Sequence, residues 1–290
     1  MKIRVPATSA NLGPGFDVLG LALNLYNEFE FTKSDESKII EGEEISDAED
    51  NLIYLSYAKT FEKFKGKVVP VNIKVTSNIP MSRGLGSSSA CIVGGIVGAY
   101  LILDREINRQ EILQIALEIE GHPDNVSPAI FGNVTATINE DGKNITTVIK
   151  PKNEYKFITL IPDFELKTEK ARSVLPKNYS REDAVFNISR TALLISSLML
   201  GQDENLKLGL EDKIHQNYRG ELIPDFKEIF QFLNNNTLGC YLSGAGPTIM
   251  AIAKKDKSIR EDFNKFKNSL ELSWEMHELS LNTEGFEILY

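Results

Sequence analysis

The chain has 290 residues, of which 42% are hydrophobic and 25% charged, the composition of a globular protein with one large or two medium domains. Its net charge is −9. Nonspecific binding to nucleic acids or to anionic membranes requires a basic surface, so we expect neither partner. The N-terminal residues lack the pattern of a signal peptide and no segment reaches 18 apolar residues, which predicts a cytoplasmic protein without a membrane span. The two cysteines, Cys91 and Cys240, lie in apolar or small-residue runs that predict buried thiols.

Hydrophobic periodicity in the first half of the sequence predicts strands that alternate with helices. Strands are predicted at residues 3–5, 28–33 and 71–76, with a hairpin over 134–149 and a loop over 6–15. Helices are predicted at residues 52–64, 91–103 and 109–120. Asn108 and Glu111 resemble a capping box, which would start the last of these helices.

Pro151 and the polar residues after it break the apolar pattern, which predicts a boundary between a domain of residues 1–152 and a domain of residues 153–290. The second half contains a predicted strand at 155–161, a helix from Ser180 to Met199, helices at 203–216 and 223–235, two strands within 239–253 and a final strand pair within 270–289. Because helices alternate irregularly with hairpins, we expect an α+β fold with mostly antiparallel sheets.

A glycine- and serine-rich segment joins the strand at 71–76 to the following helix. Such a turn directs free backbone N–H groups and the positive end of the helix at one point, which suits a polyphosphate. Gly84 and Gly86 permit close approach of the backbone, and no lysine follows at the position found in a P-loop. The alternative is a loop with a helix cap. The predicted phosphate-binding residues are Pro80, Met81, Ser82, Arg83, Gly84, Leu85, Gly86, Ser87, Ser88, Ser89 and Ala90.

Asn11 and Asp17 lie in a rigid loop between apolar segments. Their side chains offer one donor and several acceptors, which could hold an amino group and a hydroxyl group of a small substrate. Both residue types also commonly hydrogen-bond to turn backbone, which is the alternative interpretation.

Two carboxylates and an imidazole fall within residues 120–125. Mg²⁺ usually takes one or two carboxylates and phosphate oxygens, so Glu120 could ligate it together with Ser88 of the glycine-rich segment. Asp124 could orient or deprotonate a substrate hydroxyl. The alternative is a helix C-terminus followed by a turn, with His122 capping carbonyl groups.

Three further features are weaker. Arg172 and Arg219 could each hold a carboxylate, although a lone arginine is usually a solvated surface residue. The turn Ser243–Thr248, which contains Gly244, could belong to the site or serve only tight packing.

Taken together, these segments resemble the GHMP small-molecule kinases along essentially the whole chain from Ile3. Residues 80–90 resemble the ATP loop of that family, and residues 243–248 its C-terminal glycine motif. The segments 5–17 and 120–129 are most similar to those of the family branch that phosphorylates L-homoserine in threonine biosynthesis. No lysine occurs between Lys2 and Lys33, unlike in mevalonate kinase-like members. Many members of this branch have a longer segment between the metal-binding glutamate and the histidine, whereas here Glu120 nearly abuts His122. Glu118 is therefore an alternative metal ligand to Glu120.

The resemblance implies an N-terminal domain like the second domain of ribosomal protein S5, a ferredoxin-like C-terminal domain, and an active site between them. It implies ATP and Mg²⁺ as co-substrate and cofactor, a small-molecule substrate and a homodimer. Its functional residues map as catalytic Asp124, Asn11 and Thr168; substrate-binding Asn11, Asp17, His122, Asp124, Arg172, Arg219 and Gly244; and metal-binding Ser88 and Glu120. A kinase for another small alcohol, or an inactive binding protein on the same fold, would share many of these features.

Overall fold

The computed structural model describes residues 1–289, which form two β-sheets covered by helices. The strands are β1 (Lys2–Ala10), β2 (Leu19–Lys33), β3 (Lys38–Glu41), β4 (Glu44–Asp47), β5 (Val71–Thr76), β6 (Val134–Glu140), β7 (Lys143–Ile149), β8 (Tyr155–Pro162), β9 (Gly239–Leu242), β10 (Ile249–Lys254), β11 (Trp274–Ser280) and β12 (Glu287–Leu289). The α-helices are α1 (Leu52–Lys63), α2 (Ser87–Ile102), α3 (Arg109–Glu120), α4 (Pro123–Phe131), α5 (Thr168–Ser173), α6 (Arg181–Leu200), α7 (Leu206–Gly209), α8 (Gln216–Gly220), α9 (Phe226–Asn236) and α10 (Arg260–Phe266). Turns of 3₁₀-helix cover Asp203–Asn205 and Lys267–Ser269.

The first sheet has eight strands in the order β12-β1-β2-β5-β3-β4, and the hairpin β6-β7 joins it at β2. Strand β1 continues to Ala10, so the prediction of a loop from residue 6 is wrong. The register with β2 shifts between Pro6 and Ala7. This irregularity tolerates proline, which has no N–H to donate.

Helix α2 packs against the first sheet and is almost entirely buried. A Cβ atom at Gly94 would lie 2.6 Å from the ring of Phe29, and one at Gly98 would lie 2.3 Å from the ring of Phe31. The two glycines therefore allow the Phe29 and Phe31 rings of β2 to pack directly against α2. This close packing fixes the position of the N-terminus of α2 relative to the first sheet.

The second sheet has the antiparallel order β11-β8-β10-β9. Numbered within the second half of the chain, this order is 4-1-3-2, and helices follow the first and third strands, as in ferredoxin-like domains. The expected α+β class with mostly antiparallel strands is confirmed, since β3 and β5 form the one parallel pair among residues 1–289.

Two predictions in the second half are wrong. Residues 203–216 do not form one helix, because the Asp212 side chain accepts hydrogen bonds from the backbone N–H groups of Ile214, His215 and Gln216 and so starts the short helix α8. The last two strands do not pair with each other: β11 pairs with β8 of the second sheet, whereas β12 pairs with β1 of the first.

By length and composition alone, α6 is the one helix among residues 1–289 that could cross a membrane, and a single helix of this kind is weak evidence for a span. Only 22% of its most apolar stretch is buried in the protein. Single helices of proteins without a membrane span meet the same criterion. Both cysteines are free thiols; Cys240 is buried as expected, and Cys91 is half-buried.

Candidate active site

The glycine-rich segment ends inside a helix. Helix α2 begins at Ser87, four residues before the predicted start, so the three serines form its first turn. Gly86 occupies the N-cap position with φ +68°, and no side chain caps the helix. The backbone N–H groups of the first turn therefore remain available to an anion at the positive end of a helix that spans 16 residues.

The glycines of this segment are required by close contacts. A Cβ atom on Gly86 would lie 1.9 Å from Oγ1 of Thr8 in β1. A Cβ atom on Gly84 would lie 2.5 Å from the carbonyl oxygen of Ser243 in the second half of the chain. The segment is therefore packed between the two halves, with its backbone fixed by both.

Glu120, at the end of α3, reaches the serines of α2. Ser88 Oγ donates to one Glu120 oxygen at 3.3 Å, and Ser89 Oγ donates to the other at 3.4 Å. Burial raises the pKa of Glu120, and the two serine hydrogen bonds oppose this shift. Glu118 instead pairs with Lys63 at 2.7 Å.

Ser88 and Glu120 offer the hard oxygen donors that Mg²⁺ prefers, and such sites are usually completed by phosphate oxygens and water. No group of three His, Cys, Asp or Glu side chains within residues 1–289 forms a complete metal site. The geometry therefore fits a cation held jointly by protein and ligand, and it favours Glu120 over Glu118.

Asp124 lies in the first turn of α4 and is buried. Burial raises its pKa to about 7; the negative charge of Asp17 adds to this shift, and the positive charge of Arg172 opposes it. The carboxyl group can therefore exchange a proton near neutral pH.

Asn11 and Asp17 both have positive φ, at 72° and 57°. The Asn11 side chain accepts from the backbone N–H of Asp17 at 3.0 Å and donates to the carbonyl of Gly244 at 3.1 Å. It therefore holds the turn, as the alternative interpretation expected, and it also faces the cleft. The Asp17 carboxylate accepts two hydrogen bonds from Arg172, at 2.8 and 3.1 Å.

Arg219 is 2% exposed, so the interpretation of a solvated surface arginine is wrong. Its guanidinium donates to the carbonyl of Gly244 at 2.8 Å and to that of Ala171 at 3.2 Å. Burial and the charge of Arg172 lower its pKa to about 10. The ring of Phe16 lies 5.2 Å from the Arg219 guanidinium and 5.6 Å from that of Arg172. Two cations thus lie side by side, an arrangement that attracts a carboxylate.

The turn at residues 243–246 joins these parts. The Gly244 N–H donates to Ala10 at 3.2 Å, and its carbonyl accepts from both Asn11 and Arg219. Ser243 Oγ donates to the carbonyl of Gly84 at 2.6 Å. The turn does serve tight packing, and its packing partners are residues of the site.

These residues surround a cleft of about 210 Å³ between the two sheets. Most predicted site residues line it: Asn11, Asp17, Pro80, Ser82, Arg83, Gly84, Leu85, Gly86, Ser87, Ser88, Ser89, Glu120, His122, Asp124, Thr168, Arg172, Arg219 and Gly244. Met81 and Ala90 do not, because the Met81 side chain is 74% exposed and Ala90 is buried within α2.

Sequence reasoning missed part of the lining, namely Ala10, Asn125 and Leu166, whereas Ala245 and Gly246 belong to the turn 243–248 that it indicated. Asn125 stands within the segment 120–125 that was singled out, and its side chain accepts from Thr8 Oγ1 at 2.8 Å. Only this proximity to Asp124 could have indicated it, since the contact with β1 joins distant parts of the chain.

The sequence matches family models described as GHMP kinases N terminal domain, over residues 51–133, and GHMP kinases C terminal, over residues 194–272. A homoserine kinase of Clostridium botulinum strain ATCC 19397 is 46% identical over 288 residues, covering 98% of this chain and 97% of its own length. The homoserine kinase of strain Alaska E43 is also 46% identical, over 290 residues, with the same coverage.

Solved structures show the same fold. The homoserine kinase of Cytophaga hutchinsonii superposes with a TM-score of 0.89 at 25% identity, covering 100% of this chain and 97% of that one. The mevalonate kinase of Methanococcus jannaschii superposes with a TM-score of 0.73 at 16% identity, covering 97% of this chain and 98% of that one. The second similarity concerns the fold alone.

The pKa of Asp124 provides a test of the cleft electrostatics. Replacement Asp17→Asn should lower it from about 7, because a neighbouring negative charge is removed. Replacement Arg172→Leu should raise it, because a positive charge is lost. Carboxyl ¹³C NMR titration measures both shifts, with Glu118→Gln as a control that should leave Asp124 unchanged. An ordinary carboxyl pKa in the unmodified protein would contradict the description.

Proposed function

This chain belongs to the GHMP kinases, and we propose that it acts as a homoserine kinase. In that reaction the γ-phosphoryl group of ATP passes to the side-chain hydroxyl of L-homoserine, giving ADP, O-phospho-L-homoserine and a proton. The observation that carries the proposal is the set of paired charges opposite the glycine-rich segment, formed by Asp17, Arg172 and Arg219. Similarity at 46% identity to homoserine kinases, along 98% of the chain, supports it.

The charges suit an α-amino acid. An α-carboxylate needs a fork-shaped cation, which Arg172 and Arg219 offer, and an α-ammonium needs an acceptor such as Asp17. Because Asp17 and Arg172 pair with each other at 2.8 Å, a zwitterion could replace one ion pair by two. Asn11, His122 and Gly244 complete the proposed substrate contacts.

Phosphoryl transfer depends mainly on positioning and charge stabilisation. The N–H groups at the start of α2 would hold the phosphates of ATP. Ser88 and Glu120 would hold Mg²⁺, which when bound neutralises phosphate charge. Asp124 would accept the hydroxyl proton; with a pKa of about 7 its carboxylate form is lost as pH falls, so activity should decline below neutral pH. Thr168 would contact the reacting groups from α5.

The proposed assembly is a homodimer in the cytoplasm. Helix α6 supports it, because Ile188, Ala192, Ile195 and Met199 recur at helical spacing along a groove on its surface. Ile188 is 69% exposed and Met199 is 55% exposed. Large side chains of this kind on one face are typical of a surface that a second copy covers.

The dimer can be tested with two matched exposed isoleucines. Ile188→Glu on α6 should yield monomers, because each copy would bury an unpaired charge in an apolar interface. Ile45→Glu on β4 replaces a residue that is 68% exposed and should not change the mass. Light scattering after gel filtration measures both, and equal masses for the two variants would exclude this surface.

An ADP-release assay with homoserine, mevalonate, shikimate and galactose tests the proposed reaction. We expect turnover with homoserine only. Arg172→Leu should raise KM for homoserine about 10- to 150-fold, the cost of one charge-assisted contact, while KM for ATP stays nearly unchanged. Arg219→Leu should act similarly, and lysine at either position should recover activity only in part, because it lacks the bidentate geometry.

Turnover of another alcohol instead of homoserine would leave the family assignment intact and exclude the proposed substrate. If both arginine variants phosphorylate homoserine normally, the carboxylate binds elsewhere.

The metal assignment rests on the pair Ser88 and Glu120. Glu120→Gln should lower kcat and raise the Mg²⁺ concentration needed for half-maximal rate, because a neutral amide is a weaker ligand for a hard cation. Glu118→Gln is the matched control, since that side chain pairs with Lys63. A shifted Mg²⁺ titration in the Glu118 variant alone would reverse the assignment.

The phosphate role of the glycine-rich segment predicts that Gly86→Ala lowers kcat/KM for ATP by about 100-fold, through displacement of the backbone by the contact with Thr8. Gly142→Ala provides the control, because Gly142 also has positive φ, at 76°, but has no atom within 4 Å of an added Cβ. Its activity should be unchanged. Equal activity in both variants would show that Gly86 has no role in binding the nucleotide.

A further inference from the structure

We propose that His215 is a positioning residue, which holds Arg219 and the loop of residues 11–17 in register through a neutral ring protonated on Nε2. The kinetic test of this proposal rests on the proposed function, because Arg219 and that loop form the proposed substrate pocket.

His215 is completely buried at the start of α8. Its Nε2 lies 2.8 Å from the carbonyl oxygen of Gly13. A carbonyl can only accept a hydrogen bond, so Nε2 must carry the proton. Burial and the charge of Arg219 lower the pKa of the ring, against the opposing charge of Asp212, so it stays neutral. Nδ1 is therefore left with a lone pair.

That lone pair faces Arg219. The Nη1 atom of Arg219 lies 3.4 Å from Nδ1 of His215 and also donates to Gly244, while Nε donates to Ala171. These contacts use the Nε–H group and the N–H groups of Nη1. Nη2 has no hydrogen-bond partner among residues 1–289, and the residue lines the cleft. His215 thus helps to fix the plane in which Arg219 presents its remaining N–H groups.

The same imidazole holds the other side of the pocket. Gly13, to which it donates, lies between Asn11 and Asp17, and a Cβ atom at Gly13 would lie 2.3 Å from the carbonyl oxygen of Leu210. The loop therefore has no room to shift towards α7. The ring of Phe16 lies 5.3 Å from that of His215. One ring consequently touches both the loop that carries Asp17 and the arginine opposite it.

A buried network keeps His215 in place. Asp212 accepts from the His215 backbone N–H at 2.7 Å and from the Asn187 side chain at 2.7 Å. Asn187 also donates to the carbonyl of Pro14 at 3.2 Å, as does Thr191 Oγ1 at the same distance. The loop is therefore held at two successive carbonyls, one by His215 and one by α6.

The kinetic test uses three substitutions. His215→Phe keeps a ring beside Phe16 but removes both hydrogen bonds, and it should raise KM for homoserine about tenfold while KM for ATP changes less than twofold. His215→Gln can keep a donor near the Nε2 position and should recover part of the loss. Phe263→Leu, in the core of the second sheet, is the control for general destabilisation and should change neither KM.

Two results would overturn the proposal: an unchanged KM for homoserine in a folded His215→Phe variant, or an equal rise in both KM values. If His215→Phe does not fold, the same comparison of KM for homoserine with KM for ATP is made with His215→Gln and His215→Asn.

A second measurement does not depend on the substrate. Imidazole ¹⁵N NMR of the unliganded protein at pH 7 should show His215 neutral with its proton on Nε2. A proton on Nδ1, or a charged ring, would contradict the proposal. If the unmodified protein phosphorylates a different alcohol, the proposed substrate fails, and the KM comparison is made with that alcohol while the tautomer result stands.

Discussion

The arrangement of the cleft depends on one backbone carbonyl, that of Gly244. Asn11, which directly follows β1, and Arg219, from α8, both donate to it. A buried carbonyl, asparagine amide and guanidinium each require a partner, so moving any of them leaves a polar group unpaired at a cost of about 1–3 kcal/mol. Because the N–H of the same residue donates to Ala10, the turn is fixed to the first sheet from both sides. These hydrogen bonds therefore fix the position of the two halves of the chain relative to each other at the site.

Charge balance within the cleft follows from that geometry. The acidic groups Asp17, Asp124 and Glu120 face the cations Arg172 and Arg219 across a cleft of about 210 Å³. Asp17 forms an ion pair with Arg172, and burial raises the pKa of Asp124, so that its carboxyl group holds its proton more tightly. A ligand with both charges could exchange these contacts without leaving an ion unpaired, whereas a neutral alcohol could not.

Local signals were readable in the sequence, and long-range contacts were not. Asn108 caps α3 through the N–H groups of the next residues, so that helix could be predicted to within its observed bounds. Glu111, the other half of the expected capping box, accepts instead from Tyr100, a contact that depends on how α2 packs. Helical periodicity over residues 203–216 was misleading because Asp212 captures backbone N–H groups.

The candidate site shows the same division. Glycine, serine and acidic residues at short spacing indicated the phosphate and metal groups. The partners of Arg219 and His215, by contrast, come from residues that lie far apart in sequence, and only the folded chain brings them together.

Strand β12 has a consequence for how the protein is made. It pairs with the first residues of β1, and Arg4 forms an ion pair with Glu287 at 2.8 Å. The first sheet therefore cannot acquire this edge until synthesis has passed residue 289, after all four strands of the second sheet have been synthesised. During translation the β1 edge is exposed and could pair with another nascent chain. Closing it last requires bringing together residues that lie 283 positions apart in sequence, a slow kind of contact.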